Sequence, residues 1–238
     1  MFIGHFALGF AAKRVTPRVS LAVLGAATQI ADLLWPFFLA AGVEQVRIDP
    51  GNTAMTPLDF VSYPYSHSLV MLIVWGLMFA ALFRPKLRLK ADPTYIDPYV
   101  ASGFSRTYIL LALLVISHWF LDWLTHRPDM PLYPGGARFG LGLWNSVGAT
   151  VAIETAMYAA GLWIYMRSTR ARDGVGRWGF LALAVFLPLV YVANIFGPPP
   201  PTVGALWMSA AAGGAVLVAW MWWVDRHRDG ILSARRVQ

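Results

Sequence analysis

Cysteine is absent from the 238-residue chain, which excludes disulfide staples, thiolate nucleophiles and sulfur-rich metal sites. Charge is scarce as well: Asp, Glu, Lys and Arg make up 13% of the residues against 58% hydrophobic ones. With a mean hydropathy of +0.55, the chain is too apolar for an ordinary soluble domain. A positive n-region and a small-residue cleavage site are both lacking, so "MFIGHFALGFAA" is expected to stay in the mature protein rather than leave as a signal peptide. No internal repeat of useful length is visible, and one integral-membrane domain over residues 1–238 accounts for the chain. The net charge of +7 comes from short basic blocks between apolar runs, not from one polar face. The blocks read as topology determinants, and no nucleic-acid partner is expected.

What is there is a series of apolar runs, approximately 19–42, 62–83, 106–126, 139–166, 177–196 and 203–224. Each is long enough to cross a hydrocarbon core of roughly 30 Å, which takes about 20 helical residues. The expected fold class is therefore an all-α, polytopic membrane helical bundle of about six transmembrane helices. Ahead of them, "FIGHFALGFAA" is too short to cross and reads as a short or re-entrant helix. Basic residues fall on alternate connections: Lys13, Arg14 and Arg18; Arg84, Lys86, Arg88 and Lys90; Arg167, Arg170 and Arg172; Arg226, Arg228, Arg235 and Arg236. The positive-inside rule puts the N-terminal basic block and the C-terminal tail, 225–238, in the cytoplasm. The loops after the first, third and fifth runs then face outward. Pro36, Pro64 and Pro188 are expected to kink or end their helices.

An ionisable side chain inside a membrane costs a few kcal/mol on the mildest scale and normally faces a partner or a water-filled cavity. The stretch "SHWFLDWLTHRPD" places His118, Asp122 and His126 at i, i+4 and i+8, along one helix face. Imidazole and carboxylate one turn apart suit a divalent cation, zinc foremost, with manganese(II) or iron(II) as alternatives. Counting about 1.5 Å per residue from the cytoplasmic ends, Asp32 lies about 20 Å up, His118 about 18 Å and Asp122 about 24 Å. His67 enters the second run from outside into the same band, and His5 is in reach if the short helix sits deep. The metal candidates are thus His5, Asp32, His67, His118 and Asp122, all within residues 1–134. Ser66 and Thr125 are placed to support them, with Tyr63, Trp119 and Trp123 as an aromatic collar. His126 and the buried Glu154 are candidates for proton transfer, although either could also be a ligand. Arg127 and Arg138, on the outer loop, are candidates for holding a substrate anion. The C-terminal spans, 139–224, carry no usable motif.

"GHFALGF", "QIADLLWP", "YSHSL" and "SHWFLDWLTHRPDMPLYP" together resemble the YdjM-type family, the LexA-regulated DUF457-like membrane-bound metal-dependent hydrolases of bacteria. The resemblance covers the chain to about Pro134 and implies a multi-pass protein of the bacterial inner (cytoplasmic) membrane. The order His, Asp, His, then His-x-x-x-Asp is also similar, at pattern level, to zinc-dependent phospholipases C. The second His-x-x-x-Glu of those enzymes is missing here. After Asp122 the chain departs from the family pattern with His126, Arg127 and Asp129.

The expected function is an inner-membrane metal-dependent hydrolase. It would act on a phosphoester of a lipid or lipid-linked substrate through a metal-bound hydroxide in the outer half of the bilayer. The alternative is a divalent metal-ion transporter using the same intramembrane His/Asp site. The expected partners are the bilayer and that substrate. The oligomeric state cannot be read from the sequence.

Overall fold

The computed structural model describes residues 1–83 and 98–231, with side chains described at 1–83 and 106–231. Among these residues, five helical stretches are long and apolar enough to cross a membrane: Leu21–Ala40, Arg106–Thr125, Val147–Ser168, Val175–Phe196 and Val203–Asp225. They belong to α2 (Leu21–Ala40), α5 (Pro98–Thr125), α6 (Val147–Ser168), α7 (Phe180–Phe196, preceded by a π turn at Val175–Gly179) and α8 (Val203–Asp225). Two shorter apolar helices, α1 (Ile3–Ala12) and α4 (Leu69–Leu82), complete the bundle. The chain folds as an all-α membrane bundle, with short strand pairs confined to its connections.

The second run is interrupted at Pro64, one of the prolines expected to kink or end a helix. Pro64 opens a single turn, α3 (Pro64–His67), and Ser68 leaves the helical region with ψ 146°. The Ser68 hydroxyl then accepts from the Met71 amide and caps α4. A break at this point turns His67 inward instead of continuing a straight helix. The fourth run also starts later than its hydropathy suggests. Residues 139–146 form a strand end, a 3-10 turn and the Ser146 cap, and the helix begins at Val147. Arg84, Lys86, Arg88, Lys90, Arg235 and Arg236 lie outside the described residues.

The short helix α1 is wedged in the bundle against α2, α5 and α6, and eight of its residues are buried. No side chain of its own caps it. Instead, Glu154 on α6 reaches across, and its Oε2 accepts the amides of Phe2 (2.8 Å) and Gly4 (3.2 Å), placing negative charge at the helix N-terminus, where the macrodipole favours it. Close approach of α1 to its neighbours depends on glycine. A Cβ at Gly161 would lie 2.5 Å from the Ala7 carbonyl oxygen, so Gly161 lets α6 touch the α1 backbone, as small residues do between membrane helices. Gly161→Ala is expected to lower stability by about 1–3 kcal/mol through overpacking; thermal unfolding in detergent reads this directly.

Proline inside the spans is accommodated locally. Pro188 in α7 has no N–H for the Ala184 carbonyl, and the Tyr158 hydroxyl donates to that oxygen at 3.0 Å. Pro36 likewise leaves the carbonyl of Asp32 without its helical donor, loosening α2 at the turn that carries a predicted ligand.

The two ends of the bundle differ in character. At one end Lys13 pairs with Asp225 at 2.8 Å, and β5 (Thr169–Ala171) pairs with β6 (Arg228–Gly230). The described basic residues of the first, third and fourth blocks therefore gather together. At the other end, the connection after α2 forms an antiparallel ribbon, β1 (Gln45–Ile48) with β2 (Leu58–Ser62). The connection after α5 forms a second ribbon, β3 (Met130–Pro131) with β4 (Arg138–Phe139). Outward-facing apolar side chains such as Ile73, Leu113, Val185, Leu189 and Val216 clothe the helices between, as a lipid-facing surface requires.

Candidate metal centre

Four segments converge beneath the ribbon end. α1 brings His5, α2 brings Asp32, the turn α3 brings His67, and α5 brings His118 and Asp122. These residues form two overlapping groups, His5 with His118 and Asp122, and Asp32 with His67 and His118; within each group the potential ligand atoms lie within 4.8 Å of one another. All five metal candidates predicted from the sequence are thus brought together. His118 belongs to both groups, and its ring stacks on His5 at 3.8 Å and 2°.

Each histidine's orientation follows from its hydrogen bonds. His118 Nδ1 lies 2.8 Å from the Thr28 carbonyl oxygen, which can only accept, so Nδ1 carries a proton and, in the neutral ring, Nε2 the lone pair. Nε2 faces Asp122 Oδ2 at 3.0 Å and Asp32 Oδ1 at 3.9 Å. His67 Nδ1 lies 2.7 Å from Ser66 Oγ, and its Nε2 faces Asp32 Oδ1 at 3.5 Å. His126 Nδ1 donates to Asp129 Oδ1 at 2.9 Å, and its Nε2 is 3.9 Å from Asp122 Oδ2. His5 contributes Nε2, 3.0 Å from Asp122 Oδ1, while its buried Nδ1 has no hydrogen-bond partner. Where a neutral imidazole turns its bare Nε2 to a carboxylate the two repel, and a cation at their meeting point removes the conflict. The donors are nitrogen and oxygen only, the set that suits zinc and neighbouring divalent ions.

The α-amino group of Met1 ion-pairs with Asp122 and hydrogen-bonds Thr125 Oγ1 at 3.2 Å, so Asp122 already attracts positive charge. Asp32 differs from the other four in exposure. They are almost fully buried, whereas its side chain is 44% exposed, which leaves the cluster open on one side. Structural metal sites are closed, while sites that act on a substrate keep a free position.

The remaining predicted residues divide. His126 sits at the edge of the cluster under an aromatic cover, with Trp144 at 4.0 Å and Phe60 at 4.9 Å between ring centroids. The Tyr63 hydroxyl donates to Asp129 Oδ1 at 2.8 Å. Burial raises the Asp129 pKa, but hydrogen bonds from His126, Tyr63 and Arg127 outweigh it and hold the carboxyl below its ordinary value. Glu154 is not brought into the cluster: the structure uses it as the cap of α1. The guanidinium of Arg127 is taken up by Asp59, Asp129 and Asn52, so it braces the outer loops rather than waiting for an anion. Arg138 is exposed on a cleft of about 250 Å³ whose lining includes Ser62, Tyr63, Asp129 and Gly136.

Sequence reasoning missed two residues. Asp129 is visible as an i+3 partner of His126 once the helix is known to end at Thr125. Glu44 has no such local signal: it is buried and accepts from the amides of Tyr65 and Ser66 and from the Ser66 hydroxyl.

The match of this chain to known proteins bears on the same segments. The family model of the YdjM inner membrane protein matches residues 1–198, which takes in all of these residues. The chain belongs to that family. It is accordingly an inner-membrane protein, and the family match extends through α6 and α7, beyond the motifs of the N-terminal half. No curated protein and no solved structure matches the chain.

Proposed function

We propose that this family member is a metal-dependent hydrolase whose site holds one or more divalent cations, zinc foremost, on His5, Asp32, His67, His118 and Asp122. The observation that carries the reading is the set of Nδ1-tethered imidazoles presenting Nε2 to two carboxylates, one of which stays open. A bound cation at such a site supplies Lewis acidity and makes water nucleophilic near neutral pH.

The chain's own residues supply the rest. His126 takes up and returns a proton at Nε2, while Asp129 and Tyr63 hold its ring and tautomer. Phe60 and Trp144 shield it from bulk water. Arg138, on the outer cleft, is the cation available to a substrate phosphate, since Arg127 is committed to three acceptors. The basic end of the bundle is assigned to the cytoplasm by the positive-inside rule. That assignment puts the centre in the outer half of the bilayer, where a phosphoester of a lipid or lipid-linked substrate can enter sideways.

Purified protein loaded with zinc is expected to hydrolyse phospholipid or a generic phosphodiester such as bis(p-nitrophenyl) phosphate, and to lose that activity when the metal is chelated. Zinc-loaded protein that cleaves neither, yet carries zinc across liposome membranes, would instead establish a transporter.

A further inference from the structure

Glu44 stands outside the metal centre, yet it is 2% exposed and both its carboxylate oxygens accept from one short segment. The ribbon explains how it gets there. β1 pairs with β2 with Gln45 opposite Ser62, so the residue before β1 lies beside the chain that leaves β2 for α3. Its Oε1 accepts the amides of Tyr65 and Ser66, both at 2.8 Å, and its Oε2 accepts the Ser66 hydroxyl at 2.6 Å. Ser66 has one hydroxyl proton, and it is given to Glu44. Toward His67 Nδ1, 2.7 Å away, the same oxygen can therefore only accept. That forces the proton of His67 onto Nδ1 and leaves the lone pair on Nε2, the atom that faces Asp32. The ring is held at the same time by Tyr63 and Trp35, both edge-on, at 5.2 and 6.5 Å.

We propose that Glu44, acting through Ser66, is a positioning residue that sets the tautomer and angle of His67 at the centre. This rests on the metal reading above only in its consequence for affinity; the tautomer itself is a property of the metal-free protein. In Glu44→Gln the side-chain oxygen is still needed by the two amides, so the new NH2 faces Ser66 Oγ. The hydroxyl proton then turns to His67 Nδ1, and the histidine must carry its own proton on Nε2, where it blocks ligation. In Ser66→Ala both amide bonds to Glu44 survive, and Nδ1 simply loses its partner.

The test is long-range proton–nitrogen NMR of the full-length, metal-free protein labelled at histidine nitrogen, alongside zinc titration of the same samples. The wild type is expected to show His67 as the Nδ1–H form, Glu44→Gln as the Nε2–H form, and Ser66→Ala as a mixture. Zinc affinity is expected to fall about 10–100-fold in Glu44→Gln, the range usual for residues that orient a ligand. If Glu44→Gln does not fold, Ser66→Ala carries the test, because it leaves the Glu44 contacts to the backbone in place. A wild-type His67 in the Nε2–H form, or a tautomer that ignores both substitutions, overturns the proposal even if zinc binds. The expected tautomers in a protein that takes up no zinc would sustain it and sink the metal reading instead.

Discussion

Asp122→Ala is expected to reduce divalent-metal affinity by more than about 100-fold, beyond the 10–100-fold range typical of residues that only orient ligands. The Asp122 carboxylate meets three imidazoles and an ammonium. Its two oxygens face His5 and His118 at 3.0 Å each and His126 at 3.9 Å, and it also takes the Met1 ammonium. With the carboxylate gone, His5 loses the acceptor of Nε2, and the ion-pair partner of Met1 disappears inside the bundle. Competition against a chromophoric chelator measures the affinity loss. His67→Ala should also weaken binding, but it removes one ligand of the group that includes the open Asp32 and leaves the Asp122 group intact. Equal affinity in wild type and Asp122→Ala would show that the metal, if bound, is bound elsewhere.

The second large effect is on turnover. His126→Ala is expected to leave bound metal in place and lower kcat by about 10²–10⁴-fold, the contribution usual for a positioned acid or base. Asp129→Asn should act in the same direction and less strongly, because the imidazole remains while the anion opposite its Nδ1–H is lost. Single-turnover hydrolysis at saturating zinc separates this loss from any change in metal occupancy. A parallel loss of zinc and activity in His126→Ala would make the residue a ligand, since its Nε2 already faces Asp122.

Much of this arrangement was legible because helices convert sequence separation into depth. The i, i+4 spacing of His118 and Asp122 fixed their common face, counting residues from the cytoplasmic ends brought Asp32 to their level, and counting inward from the outer surface brought His67 there. "FIGHFALGFAA" was readable as a helix too short to span, and α1 runs for ten residues inside the bundle, with the Met1 amino group ahead of it at Asp122.

What escaped the sequence depends on contacts between segments far apart in the chain. Glu44 and Ser66 are 22 residues apart and meet only because β1 and β2 pair, a short ribbon invisible to hydropathy. Glu154 reads as a lone carboxylate in an apolar run, and its use as a cap follows from α1 packing alongside α6. Arg127 looks like a free cation until the β1–β2 ribbon folds back and presents Asn52 from its connection and Asp59 from β2. Pro64 announced a kink or end in the second run, but the unbroken apolar run after Ser68 gave no sign that a new helix starts there.

The central claim is that one divalent cation or more is held by imidazole and carboxylate groups from four segments of the bundle. X-ray absorption at the zinc edge of the loaded protein tests it most directly. The account predicts a shell of nitrogen and oxygen at about 2.0–2.2 Å with the outer-shell scattering of more than one imidazole, reduced in His67→Ala and abolished with the bound metal in Asp122→Ala. Zinc bound without imidazole, or a spectrum unchanged by both substitutions, would contradict it.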